Sequence, residues 1–250
     1  MNKAIEDVLN GISFPEAALL SKRVPKKQFF LNGELVSRDK KLFRNKVKNV
    51  YWEYTLKPST CKVLPFMDNE REYLEVAILL IEMISQKGHK RIAEIIHRMI
   101  PYPLMLCFYT ETDKFALSIA PKRFSQVEQG AFVVERFFST KWMDGSDLTP
   151  QESSFIESLA WSNMSIQNYA TLYKGWVERF TGYECSEMSG NFSVGKAVTR
   201  ISILKQCREL ESKISMLRRQ LKKSAFNRQV ELNIQIKKNE NELKKLIRKL

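Results

Sequence analysis

Residues 72–85 read EYLEVAILLIEMIS. The centre of this stretch, residues 76–81, is uniformly apolar and rich in β-branched side chains. That pattern suits a strand covered on both faces, although a buried helix would show the same run. The preceding CKVLPFM (61–67) is separated from it by the turn residues Asp68, Asn69 and Glu70. The pair is therefore read as two strands, the second largely buried.

Working outward from that strand, KGHKRIAEIIHRMI (87–100) places Ile92, Ile95, Ile96, Met99 and Ile100 on one helical face, and Pro101 ends the helix. PLMLCFYT (103–110) and KFALSIA (114–120) flank Glu111-Thr112-Asp113, a hairpin signature, and AFVVERFFSTKW (131–142) reads as a further strand. A helix capped by Thr149, with Pro150 at its first position, follows, and helical sequence continues through SIQNYATLYKGWVERF. TGYECSEMSGNFSVG, small and polar with three glycines, reads as a linker. Upstream, residues 1–22 suggest a short helix and a loop, and Pro25 and Gly33 break the segment after it. Leu42, Phe43, Val47, Val50 and Tyr51 fall near helical spacing, which predicts a helix over 37–53. Trp52 and Trp142 are expected in the core. The expected fold class is α+β: a mixed sheet of about five strands with flanking helices, then a long C-terminal helical hairpin, a coiled-coil-like arm. The expected divisions are a core domain over 1–182, a linker over 183–199 and the hairpin over 200–250.

Charge is unevenly placed along the 250 residues. Residues 1–66 hold 13 basic and 6 acidic side chains, and residues 67–199 hold 13 and 17. Residues 200–250 hold 15 and 5, a net +10 out of +13 for the whole chain. Basic ends on a mildly acidic middle favour a polyanionic partner, nucleic acid before a membrane surface, against the plainer reading of lysines that solvate long helices. No apolar run approaches the roughly 18–20 residues of a membrane span, and MNKAIEDVLN has no apolar segment of the signal-peptide kind. Cys61, Cys107, Cys185 and Cys207 are scattered without C-x-x-C spacing, as expected of reduced thiols in a cytoplasmic protein.

The last 51 residues hold two heptad seams. Ile203, Cys207, Leu210, Ile214, Leu217 and Leu221 form the first, and Leu232, Ile236, Asn239, Leu243, Leu246 and Leu250 the second. The seams are out of phase, because continuing the first puts Arg228 and Glu231 on core positions. Two helices of about 35 Å folded back near Ser224-Ala225-Phe226-Asn227 resolve the conflict. One long helix with a register break is the alternative, since the corner lacks Gly and Pro. Phe226 is expected to plug the corner, Asn227 to cap the second helix, and Arg228 to pair with Glu231. Asn239 reads first as a partly solvated seam residue and second as a register-setting contact. Lys237, Lys238, Lys244 and Lys245 repeat at seven-residue spacing, with Arg228 and Arg248 extending them. Such a stripe can follow a phosphate backbone, with strong salt dependence and no sequence readout. No aromatic side chain interleaves it, so base stacking is not indicated, and DNA and RNA are not distinguished.

Catalytic motifs are scarce. There is no phosphate-binding glycine loop and no G-x-S-x-G elbow. His89 and His97 sit two helical turns apart without the further ligands a metal needs. A metal-dependent nuclease would need carboxylates on adjacent strands, magnesium and a lysine that activates water. Asp68, Glu75 and Glu82 are the candidate carboxylates, but Glu82 is followed by Met83 and Ile84, with no lysine beside it. The expectation is no catalytic site, no cofactor and no metal, with the nuclease as the alternative.

Five segments in order, VPKKQFFLN (24–32), WEYTLKPST (52–60), IPYPLMLCF (100–108), FFSTKW (137–142) and FNRQVELN (226–233), resemble the bacterial domain-of-unknown-function 4391 family. The resemblance spans about 24–236. It implies a companion of DNA methyltransferases and restriction-type helicases in bacterial gene clusters. In similar sequences the long apolar strand often ends in a Glu-Leu-Lys-like step, where this chain has Glu82-Met83-Ile84. Residues and resemblance together lead to the expectation of a non-catalytic accessory subunit of a restriction-modification-like or phage-defence system. It would dock on a methyltransferase or helicase subunit and contact the DNA backbone through its arm, with no membrane association. A purely structural homodimer through the arm is a further alternative.

Overall fold

The computed structural model describes residues 1–31, 35–128 and 130–250. In chain order it holds α1 (Lys3–Ile12), β1 (Leu19–Arg23), α2 (Lys26–Leu31), α3 (Ser37–Lys46), β2 (Val47–Leu56), α4 (Pro58–Cys61), β3 (Phe66–Met67) and β4 (Glu72–Tyr73). Then come β5 (Val76–Met83), α5 (His89–Met99), β6 (Leu104–Tyr109), β7 (Lys114–Ile119), β8 (Lys122–Phe124), β9 (Phe132–Val134), β10 (Phe138–Ser139) and β11 (Met143–Asp144). The helices α6 (Pro150–Ser158), α7 (Tyr169–Ser189), α8 (Ala197–Leu221) and α9 (Phe226–Ile247) complete it. The chain divides into two compact units, Met1–Phe180 and Thr181–Leu250.

The first unit is built on a mixed sheet in the order β1-β2-β5-β6-β7-β10, with β11 also pairing β7. The apolar run 76–81 is a buried strand, as expected, and it lies inside the sheet between β2 and β6. β5 runs antiparallel to β2 and parallel to β6, and α5 makes the crossover between the two parallel strands. Both faces of β5 are buried, which is why its sequence shows no alternation. Ala77, Leu79, Ile81 and Met83 join Ile92, Ile95 and Ile96 of α5 in one core cluster, together with Leu106 and Phe108 of β6. Val76, Ile78 and Leu80 are buried on the opposite face. Burying side chains of this size contributes about 1.5–3 kcal/mol each. The expected hairpin is β6–β7, and the expected cap is present as a reciprocal box in which Thr149 Oγ1 accepts from Glu152 N at 3.3 Å and Thr149 N donates to Glu152 Oε2 at 2.9 Å.

Several expectations fail locally. The helix over 37–53 stops at Lys46, and Val47–Leu56 is a strand. Register shifts between Val47 and Asn49 and between Trp52 and Tyr54 interrupt the alternation that would have marked it. The sheet exceeds five strands because β1 is a wholly exposed edge strand without an apolar pattern and β10 and β11 are two residues each. The segment at Pro25 forms the short helix α2, while Gly33 lies outside the described residues. AFVVERFFSTKW is broken into β9 and β10. Trp52 and Trp142 only flank the core, half-buried. The fully buried tryptophan is Trp176, edge-on to Phe14 and Tyr173.

The expected linker is helical as far as Ser189. Gly182 does not break α7. A Cβ there would lie 2.4 Å from the Ser193 carbonyl oxygen, so this glycine admits a close backbone approach instead. Gly190, at φ +79°, provides the left-handed residue that ends the helix. The second unit continues as the hairpin of α8 and α9. Ile214 and Leu217 pack against Leu232 and Ile236, with Leu221 and Leu243 beside them. The corner lies where the conflicting seams put it. Ser224 Oγ donates to the Gln220 carbonyl at 2.9 Å, and Gln229 Nε2 donates to the Ser224 carbonyl at 2.8 Å. Two corner details differ from expectation. Phe226 is 76% exposed and plugs nothing, and Ala225 rather than Asn227 holds the N-cap position.

Candidate nucleic-acid interface

The seam of α9 decides which way its lysines point. Leu232, Ile236 and Asn239 are buried, and at about 100° per residue the opposite face carries Lys237, Lys238, Lys244, Lys245 and Arg248. All five are exposed, and none forms an ion pair among the described residues. They span about 16 Å of helix axis. Arg228 does not belong with them. It lies roughly 145° around the helix from the centre of that face, and its guanidinium is paired with Glu231 one turn on, as its spacing suggested.

The same outer face is apolar over its first half. Phe226, Val230 and Ile234 recur every four residues and are 76%, 47% and 65% exposed. Only the folded hairpin shows this stripe, because the sequence does not say which apolar residues the seam leaves out. On α8 the basic side chains are solvated as expected, but not all are free. Arg218 bonds Glu240 across the hairpin at 2.7 Å, and Arg208 lies 3.7 Å from Glu184. Asn239 is buried, and its Nδ2 donates to the Gln235 carbonyl of its own helix at 2.9 Å. It is thus not the partly solvated seam residue expected, and among the described residues it makes no bond to α8.

The structure does not bring Asp68, Glu75 and Glu82 together. Asp68 is an exposed turn residue whose Oδ1 accepts from the backbone N–H groups of Glu70 and Arg71 at 2.8 and 2.7 Å. Glu75 precedes β5 and Glu82 is near its far end, about 23 Å away along an extended strand. Around Glu82 a different arrangement has formed. Asn49 Nδ2 donates to it at 2.6 Å, and Lys48 Nζ sits 3.0 Å from it and 2.7 Å from Glu111. Burial pushes the Glu82 carboxyl up, but the hydrogen bonds from Asn49 and Lys48 and the Lys48 charge outweigh it, so the group is held below its ordinary value. The bonds to Glu111 and Glu82 raise Lys48 above its ordinary value. A lysine so held keeps its proton and is a poor general base. Sequence reading missed Lys48 because the bulge in β2, not sequence adjacency, delivers it to Glu82.

His89 and His97 are both buried on α5, but they serve separate contacts. His89 Nε2 lies 3.2 Å from the Thr140 carbonyl and His97 Nε2 lies 3.2 Å from Ser118 Oγ. Among the described residues no three His, Cys, Asp or Glu side chains gather as a metal site would need. A second basic surface went unnoticed in the sequence. An open groove of about 780 Å³ is lined by Arg38, Lys41 and Lys46 of α3 and by Arg91 of α5. Arg91 ties down the one acid there, Asp39, through bonds of 3.1 and 2.6 Å. The run SRDKK (37–41) was the available signal.

Fold and surface together define an α+β domain followed by a basic helical hairpin. The chain belongs to the family described as "Domain of unknown function (DUF4391)", which matches residues 12–243. No curated protein and no solved structure gives a significant match.

Proposed function

We propose that this protein is a non-catalytic accessory subunit of a bacterial restriction-modification-like or phage-defence system, and that it holds DNA by its backbone through the outer face of α9. The observation that carries the reading is the unpaired, exposed row Lys237, Lys238, Lys244, Lys245 and Arg248 on one face. Its reach of about 16 Å matches the axial spacing of about five phosphates of one strand. The apolar stripe Phe226–Val230–Ile234 beside it supports docking of a protein partner, an amphipathic helix with acidic flanks on a methyltransferase or helicase subunit. That choice of partner rests on the family resemblance. No helix among the described residues is long and apolar enough to cross a membrane. Four free, buried cysteines fit a reducing cytoplasm.

The test is duplex DNA binding by the full chain across a salt series, with and without magnesium. Wild type is expected to bind without cleavage, with a steep salt dependence. Changing the five side chains to Gln should lower the slope of log K against log salt by about 4. Absence of binding, or an unchanged slope in the variant, sinks the reading. Magnesium-dependent cleavage that Glu82→Ala abolishes would replace it with the nuclease.

A further inference from the structure

A cavity of about 400 Å³ lies in the first unit between α5 and the β8–β9 hairpin, a size typical of small-molecule sites. Phe132, Val134 and Phe137 give it apolar walls, and His97, Arg98 and Lys122 line it too.

Lys122 is 1% exposed. Its ammonium donates to the carbonyls of Ile100 and Tyr102, the second at 2.6 Å, and so helps to close the end of α5. An ammonium has three hydrogens to give, and these carbonyls take two. No carboxylate pairs with Lys122 among the described residues. A buried cation without a counter-charge is costly, and burial draws its pKa down to about 7.

His97 is equally buried. The Ser118 hydroxyl donates its single hydrogen to the Phe138 carbonyl at 2.7 Å. With the hydroxyl hydrogen assigned to that shorter bond, His97 Nε2, 3.2 Å from the same oxygen, is assigned the ring proton. That leaves Nδ1 as a bare acceptor, buried and without a partner. Burial and the nearby Lys122 charge both keep the ring neutral.

The cleft is thus lined by Lys122, which has an ammonium hydrogen to spare, and by His97, which has an unfilled acceptor, and Arg98 lies over the Phe137 ring at 5.4 Å. We propose that this cavity binds a small apolar 2-hydroxycarboxylate, with the carboxylate on Lys122 and Arg98, the hydroxyl donating to His97 Nδ1, and the hydrocarbon against Phe132, Val134 and Phe137. A carboxylate supplies the counter-charge Lys122 lacks. A phosphate fits less well, because its further anionic oxygens would face the His97 lone pair.

The probes are octanol, octanoate and 2-hydroxyoctanoate, titrated calorimetrically into the full chain. Octanoate is expected to bind at least tenfold tighter than octanol, and 2-hydroxyoctanoate tighter again. The chain has two histidines, so nitrogen NMR should show the His97 Nδ1 signal moving on binding of the hydroxy acid while His89 stays. Lys122→Met should erase the preference for acids. Because that change also frees two carbonyls, Val134→Trp is the second variant: it fills the cavity, leaves Lys122 and His97 in place, and should weaken binding at least tenfold. No binding of either acid, equal binding of octanol, or wild-type binding by Val134→Trp would overturn the proposal.

Discussion

Glu82 is a single residue whose role reversed between sequence and structure. In the sequence it is a strand carboxylate with no lysine near it. In the fold Asn49 and Lys48 of the neighbouring strand hold it, with 14% of its side chain exposed. Glu82→Ala should cost about 1–3 kcal/mol, read by urea denaturation at neutral pH. Its folded pKa is lowered, so the contribution is present above the unfolded value and lost as pH falls through the folded one. The cost of the substitution should shrink accordingly in acid. Lys122 behaves in the opposite sense. Its folded pKa of about 7 lies below the ordinary 10.5, so between these values the unfolded chain binds the extra proton and stability rises with pH. Wild type should gain about 1.4 kcal/mol per pH unit in that window, relative to Lys122→Met. Equal pH profiles for the two proteins would show that Lys122 keeps its proton.

Among the elements, the arm was the most legible. Two out-of-phase heptad seams favoured a reversal of direction over one long helix with a register break, and the turn falls between Leu221 and Phe226. Leu232, 1% exposed on the seam, should cost about 2–5 kcal/mol when changed to Ala, seen as an earlier melt of the arm's helical signal. Phe226→Ser should change stability by less than about 0.5 kcal/mol, because the ring is outside the seam, yet under the proposed function it should weaken capture of the proposed protein partner. The strand β2 was the least legible element. Val47, Val50 and Tyr51 fall at spacings a helix would also give, and pairing with β1 and β5 selects the strand. α7 was misjudged for the reverse reason. Gly182 signals a break locally, but the chain segment that packs on it at Ser193 needs the missing Cβ.

At the scale of the whole molecule, charge is the property that reaches furthest. The net +13 is of the sign that attracts polyanions, and in the proposed function its concentration in the last 51 residues would direct them to the arm. Arg228→Ala should leave the salt slope of DNA binding unchanged, since that guanidinium is engaged with Glu231 and turned away from the lysine row. A fall as large as that from losing Lys244 would show that the contact surface wraps around the helix. The α3 groove with Arg38, Lys41 and Lys46 offers a second basic surface. Salt dependence that survives neutralisation of α9 would point there.

The sequence alone determined the elements whose signal is local or strictly periodic. These are the α5 helix, the β6–β7 hairpin and the Thr149 cap, while the buried strand and the reversal in the arm were favoured over a helical alternative that the sequence left open. Each follows from apolar spacing or backbone restriction within a few residues. The tertiary structure decided the rest. It put Glu82 with Lys48, lined a cleft with Lys122 and His97, removed Arg228 from the lysine row and left Phe226, Val230 and Ile234 uncovered. These are pairings between distant segments, fixed by strand register, by bulges and by which helix face the partner helix buries. No local pattern encodes them, because the same residues would satisfy their local geometry equally well without those neighbours.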